Sequence, residues 1–275
     1  MRLWYQSMSR QMWGAYNRVL RELVDGARDA ESQIEVHGIR VSGNSLRDRE
    51  EVERDTVLVN VRRAAESGFD AFLIGNIADA ALAEARDIVD IPVLALGETA
   101  LQVAALIGTK IAVVEVDQDR AAHLVENAAR YGLADRLAPL QHLRLEHRDL
   151  QFGFDDLDTR RGILDQFQRV GDIASADGAD VIVAASSRLT ALLAYGQIDE
   201  TPAGTPIVDS ITNLVKLGEM ATKVNRVLGG RFTEDRIPVA VELLRSYDAV
   251  PRSNPGLGAA TTIVPGGSVT RFKAS

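Results

Sequence analysis

The chain has 275 residues, 46% hydrophobic and 25% charged, enough for two modest lobes with apolar interiors and no need of covalent staples. It contains no cysteine, which excludes disulfides, thiolate metal ligands and thiol nucleophiles, and its formal charge of −8 argues against nucleic acid or an anionic membrane as a partner, since both call for a basic surface. No run reaches the ~20 apolar residues that span a bilayer, and the start, Met-Arg-Leu-Trp-Tyr-Gln-Ser-Met, lacks a signal peptide's apolar stretch, so a cytoplasmic location is expected.

In chain order, residues 3–5 read as a buried strand and 10–30 as a helix with Met12, Tyr16, Val19, Leu20 and Leu23 at helical spacing. Gln6-Ser7-Met8-Ser9 reads as the loop after that strand. Loops at the carboxyl ends of parallel strands open onto ligand clefts, so Gln6 and Ser7 are candidate substrate contacts, with helix capping as their alternative role. Residues 35–41 read as a short strand and 49–67 as a charged amphipathic helix. Residues 110–116 form an apolar strand, 119–131 a helix stopped at Gly132, and 140–145 a strand with Gln and Arg interleaved. Residues 160–177 lead into another strand, and 211–228 is a helix ending at Gly229-Gly230. This alternation predicts an α/β protein with two doubly wound parallel sheets. The expected division is 1–99 plus 212–246 as one lobe, 100–211 as the second, and 247–275, rich in Gly, Pro, Ser and Thr, as a tail or an arm on a neighbouring subunit. Trp4 and Trp13, read as exposed, would suit contact between subunits of a homo-oligomer.

One unit occurs twice. Residues 66–98 and 176–212 each open Gly-x-Asp, pass through an apolar strand, break into a small polar turn, continue as a helix and return through Pro92-Val-Leu or Pro206-Ile-Val as a second strand. At an offset of 110 residues Asp70 matches Asp180 and Asn76 matches Ser186. Both matched turns fall at the carboxyl ends of parallel strands, which makes Asn76 and Ser186 the two positions expected to meet across a cleft.

Four stretches together resemble the hydantoin racemase branch of the aspartate/glutamate racemase superfamily: 70–79 (Asp-Ala-Phe-Leu-Ile-Gly-Asn-Ile-Ala-Asp), 92–98, 179–186 and 206–219. The resemblance implies two flavodoxin-like lobes related by a pseudo-two-fold axis, a small anionic or cyclic ureide substrate between them, and a cysteine from each lobe facing the substrate's α-carbon. Those cysteines align with Asn76 and Ser186. A thiol of pKa ~8.5 can be tuned to take a proton from carbon near neutral pH, whereas an amide and an alcohol cannot. Racemisation by two thiols is therefore excluded for this chain.

Each candidate site residue also has a structural role open to it. Asp79, three residues after Asn76, is expected in the first turn of the following helix, as a cap or as a base, with Ile77 between them lining the substrate. Ser186 and Ser187 lie in the matching turn, and Ser186 is the strongest candidate for substrate contact. Glu98 and Asp209 each stand between a strand and a helix, as helix-dipole partners or as walls of the site. Lys216 reads as a solvated or ion-paired helix residue. His142 and His147, with Glu146 between them, match no standard zinc spacing, and His37 and His123 lie away from the repeated turns. Gly256-Leu-Gly-Ala-Ala has no preceding strand, so it fails as a dinucleotide loop, and no cofactor or metal is called for.

Three classes follow. The first is an isomerase or lyase acting next to a carboxylate or ureide carbonyl through an anion-stabilising cradle. The second is a hydrolase with Ser186 as nucleophile or water-positioning group. The third is a binding protein that kept the cleft without the chemistry.

Overall fold

The computed structural model describes residues 1–10, 14–39, 46–116, 118–145 and 147–230. The expectations for Met12, Trp13, Glu146, the side chain of His147 and the tail at 247–275 fall outside the described part.

The first sheet runs β2-β1-β3-β4, from β1 (Arg2–Arg10), β2 (Gln33–Ile39), β3 (Ala71–Gly75) and β4 (Val93–Ala95), all pairs parallel. Its crossovers are α1 (Gly14–Ala27), α2 (Leu46–Glu66) and α3 (Leu82–Ile88). The helix α4 (Leu96–Ile107) leaves β4 directly and leads to the second sheet, ordered β6-β5-β7 from β5 (Ile111–Glu115), β6 (Gln141–His142) and β7 (Val181–Ala184). Around it lie α5 (Gln118–Arg130), α6 (His147–Phe152), α7 (Leu157–Ala176) and α8 (Ser187–Tyr195). Finally α9 (Ser210–Val227) returns to the first sheet, where Gly218 lies so close to Leu73 that a Cβ on it would sit 2.6 Å from a leucine methyl.

Strands β3, β5 and β7 are buried along their whole length, as sheets covered by helices on both faces require. On β1 the side chains alternate. Trp4 joins Phe72, Ile74, Val57 and Val61 beneath α2, whereas Leu3 and Tyr5 join a larger core with Tyr16, Val19 and Leu73. That larger core continues through Leu96, Leu101 and Ala104 of α4 into Ile111, Val113, Val181 and Val183, so one apolar interior serves both sheets. Trp4 is buried and stacked on His37 with ring centroids 3.4 Å apart, which corrects its reading as an exposed contact.

The duplication extends to individual hydrogen bonds. Gly68 and Gly178 both have left-handed backbones (φ 73° and 93°) and close the preceding helix with equivalent bonds, Phe69 N–H to Ala64 O and Ala179 N–H to Ala174 O. Asp70 then donates its N–H to Arg2 O and accepts the Arg2 N–H, while Asp180 does the same with Lys110. Each aspartate thus fastens the first strand of its sheet to the third. The copies differ at their return strands. Val93–Ala95 pairs as a strand with β3, whereas Ile207 meets Ile182 by a single parallel bridge. The strand expected over 140–145 is reduced to Gln141–His142, because only Val114 and Glu115 of β5 have a partner there.

Candidate functional site

The two repeated turns are joined directly. Ser187 Oγ donates to Gly75 O at 3.2 Å, so the residue before Asn76 touches the residue after Ser186. Gly75 admits a second close neighbour: Tyr5 lies against it, and a Cβ there would stand 2.7 Å from the Tyr5 hydroxyl. That hydroxyl is buried and has no hydrogen-bond partner among the described residues. Burial pushes the phenols of Tyr5 and Tyr16 up, so both remain protonated donors at neutral pH.

In the second lobe Ser186 is the N-cap of α8, in extended backbone, and its Oγ accepts the Leu189 N–H at a long 3.4 Å. Arg188, two residues on, sets its guanidinium 5.8 Å from the centre of the Tyr16 ring. Asp209 caps α9, accepting from the N–H groups of Ile211 and Thr212 at 3.1 Å each and from the Thr212 hydroxyl. Among the described residues no histidine or carboxylate is hydrogen-bonded to Ser186 Oγ.

In the first lobe the turn is built differently. Asn76 is buried, its Oδ1 accepting the Ala78 N–H at 2.7 Å and its Nδ2 donating to Glu53 of α2 at 2.6 Å. The chain then takes a detour before its helix, with left-handed backbones at Asp79 (φ 54°) and Ala81 (φ 56°). Such residues are uncommon outside glycine and gather at functional turns. The helix starts only at Leu82, and its N-cap Ala81 has no side chain to offer. Asp79 is therefore not in the first turn of α3. Its carboxylate instead reaches the start of α4, accepting the Gly97 N–H at 2.7 Å, and it also accepts the hydroxyl of Tyr131, the residue just past α5, at 2.8 Å. Beside it Asn127 donates to Ala78 O at 3.0 Å, so α5 of the second lobe clamps the first lobe's turn. Ile77 is buried in the shared core. Glu98 is held by Arg86 through both carboxylate oxygens, at 3.0 and 2.5 Å.

Burial dominates the titration of Asp79, raising it from 3.8 to about 7 against the opposing hydrogen bonds of Tyr131 and Gly97. A folded-state value above the unfolded one means that the folded chain holds this proton between about pH 4 and 7 while the unfolded chain has lost it. Stability from this group is fully present below that window and is lost as pH rises through it. Asp79→Asn should flatten that part of the stability profile by a few kcal/mol, read as the difference between wild-type and variant urea unfolding at pH 5 and pH 8. An unchanged difference between the two pH values would contradict the assignment.

Gln6 and Ser7 are not in a loop. Both lie within β1 and are buried, because partners distant in sequence satisfy their polar atoms. Gln6 accepts from Asn60 at 2.9 Å and from the Trp4 indole at 3.2 Å, and donates to His37 O; Ser7 bonds to Ser9 and to Tyr16. His37 is pushed down to about 4 by burial. His142 places Nδ1 2.5 Å from the buried carboxylate of Glu115. His123 reaches within 4.0 Å of Glu50, one helical turn from the Glu53 that holds Asn76, so it stands nearer the first turn than its sequence position suggests. Lys216 pairs with Asp29 and Glu219. Among the described residues no group of three His, Cys, Asp or Glu could hold a metal, and no helix is long and apolar enough to cross a membrane. Tyr5, Tyr16, Glu53 and Tyr131 carried no signal in the sequence; Arg188 did, as the residue following Ser186-Ser187.

Comparison with known proteins agrees with this architecture. A hydantoin racemase of Pseudomonas sp. (strain NS671) is 23% identical over 163 residues, 59% of this chain, and the match spans 62% of that relative's length. Among solved structures, the allantoin racemase of Pseudomonas fluorescens superposes with a TM-score of 0.69 at 17% identity, covering 82% of this chain and 92% of that one. The allantoin racemase of Klebsiella pneumoniae gives 0.64 at 19% identity, covering 82% and 89%. The family profile described as Asp/Glu/Hydantoin racemase matches residues 14–218, a span that contains both turns and well over half of the sequence, and the chain belongs to that family.

Proposed function

We propose that this protein is a cysteine-free enzyme of the isomerase or lyase type, acting at the carbon next to a carboxylate or cyclic ureide carbonyl of a small molecule bound between the turns at 75–79 and 186–188. The observation that carries this reading is the Ser187 to Gly75 hydrogen bond, which joins the residue after Ser186 to the residue before Asn76, the neighbours of the two positions where the family resemblance puts its cysteines. When the α-proton passes to a base, for which the Asp79 carboxylate is the candidate, or a carboxyl group leaves as carbon dioxide, the electron pair left behind moves onto the neighbouring carbonyl oxygen until the α-carbon is reprotonated. A site that accelerates this step places donors where that charge develops. Here the donors are Ser186 Oγ, the first N–H groups of α8 and the Arg188 guanidinium. Tyr5 adds a buried phenol beside Gly75 that has no hydrogen-bond partner among the described residues. Asn76 and Asp79 shape the first-lobe wall, Asp79 by tying it to α4 and to Tyr131 just past α5, and Ile77 closes it with an apolar side chain. Gln6 and Ser7 form the floor in β1, while Glu98 and Asp209 fix the helices on either side. No cofactor is invoked. Hydrolysis through Ser186 is less well supported, since among the described residues no base is hydrogen-bonded to its hydroxyl.

The test is turnover of α-substituted carboxylates, malonates and 5-substituted ureides in deuterated water. Deuterium at the α-carbon, or release of carbon dioxide, is the expected result. A stoichiometric ester on Ser186, or tight binding without turnover, would select a hydrolase or a binding protein instead. Iodoacetamide should leave the activity unchanged, because there is no thiol to alkylate.

A further inference from the structure

At the end of β5, Glu115 buries a carboxylate whose Oε1 lies 2.5 Å from Nδ1 of His142 on β6. Its other oxygen, Oε2, is also buried and has no hydrogen-bond partner among the described residues. A carboxylate oxygen left bare in an interior is costly, and such groups call for a functional explanation. Because an ionised carboxylate only accepts, Nδ1 carries the hydrogen of this bond, and Nε2 is left open on a side chain that is 43% exposed. Both residues stand at the carboxyl ends of the second sheet, where parallel sheets bind their ligands. Ala185 donates to Val114 O at 2.8 Å, which sets Glu115 opposite the residue that precedes Ser186. The duplication agrees. Arg2 and Lys110 hold equivalent aspartates, so Glu115 occupies in the second lobe the place that Ser7 occupies beside Gly75 in the first. With strands about 4.8 Å apart, His142 lies roughly 10 Å from the end of β7, a span that two facing side chains and a small molecule fill.

We propose that His142, oriented by Glu115, returns the proton to the α-carbon from the second lobe; this rests on the α-carbon chemistry proposed above. Asp79 takes the α-proton on the first-lobe side, and the electron pair moves onto the carbonyl oxygen. As that pair returns, it takes the proton of His142 Nε2 to form the new bond at carbon, and the ring keeps its Nδ1 hydrogen on Glu115. Asp79 then gives its proton to water and His142 takes one from water, so the charges balance and the product carries solvent hydrogen. Where carbon dioxide leaves instead, no base is needed and the same donation completes the reaction. Glu115 acts through His142, as a positioning residue that fixes which ring nitrogen faces the substrate.

The probes are the same carboxylates, malonates and ureides in deuterated water, used on the full chain. His142→Gln should lower kcat by about 10²–10⁴-fold with little change in KM and a near-normal urea midpoint, since the side chain is half exposed. In His142→Ala, added imidazole should restore part of the turnover, which a mere tie between β5 and β6 would not allow. Nitrogen NMR supplies a readout that needs no substrate: the neutral His142 ring should carry its hydrogen on Nδ1, and Glu115→Gln should move it toward Nε2. Full turnover by His142→Gln on a probe that the wild type converts would overturn the proposal and leave the α-carbon reading standing. A wild-type ring with its hydrogen on Nε2 would do the same. No turnover of any probe by the wild type would overturn the α-carbon reading, and this proposal with it.

Discussion

Ser186→Ala should lower turnover by about 10²–10³-fold while changing KM little, the signature of a donor that acts as charge develops rather than in ground-state binding. Its structural role is small by comparison. The hydroxyl caps α8 through a bond of 3.4 Å to the Leu189 N–H, and loss of such a cap costs ~1 kcal/mol. Kinetics and stability therefore separate the two roles: a large fall in kcat with a near-normal unfolding midpoint assigns Ser186 to the site, whereas a lowered midpoint with normal kinetics assigns it to the helix. Ser187→Ala should behave in the second way, since its hydroxyl is committed to Gly75 O.

Gly97→Ala should be the most damaging single methyl group in the first lobe. A Cβ there would lie 2.3 Å from Ile77 O and 2.7 and 2.9 Å from the two oxygens of Asp79. The carboxylate could swing away only by giving up the Gly97 N–H and the Tyr131 hydroxyl, and the backbone carbonyl of Ile77 cannot move without shifting the turn. Overpacking of this kind costs about 1–3 kcal/mol, and here the strain falls on the detour that follows Asn76. Loss of stability by urea unfolding and loss of turnover should appear together. A variant with wild-type stability and activity would show that the Asp79 clamp does not hold the site.

The strands at 71–75, 111–115 and 181–184 were legible because burial on both faces leaves an uninterrupted apolar run, and the repeat was legible because Gly68 and Gly178 must both adopt left-handed backbones at the same place. The two turns of the candidate site follow from that repeat. Gln6 and Ser7 misled for a physical reason: polar residues end a strand unless distant groups satisfy them, and Asn60 and the His37 carbonyl lie far away in sequence. The path of 77–81 was equally hidden. Asn-Ile-Ala-Asp-Ala-Ala contains no glycine to announce the left-handed residues at Asp79 and Ala81, and the start of α4 lacks a capping side chain of its own, so Asp79 supplies one from 18 residues upstream. Tyr5 and Glu53 reach the turns only through packing, Tyr5 across Gly75 and Glu53 from α2 onto Asn76.

The most direct test of the central claim is a crystal structure of the protein soaked with malonate and, separately, with hydantoin, refined for ligand density at the interlobe turns. The account predicts a carboxylate or ureide oxygen within hydrogen-bond distance of Ser186 Oγ and the first N–H groups of α8, with the α-carbon facing the turn at Asn76. A ligand bound elsewhere, while the space between Gly75 and Arg188 stays filled by the protein's own side chains, would contradict it.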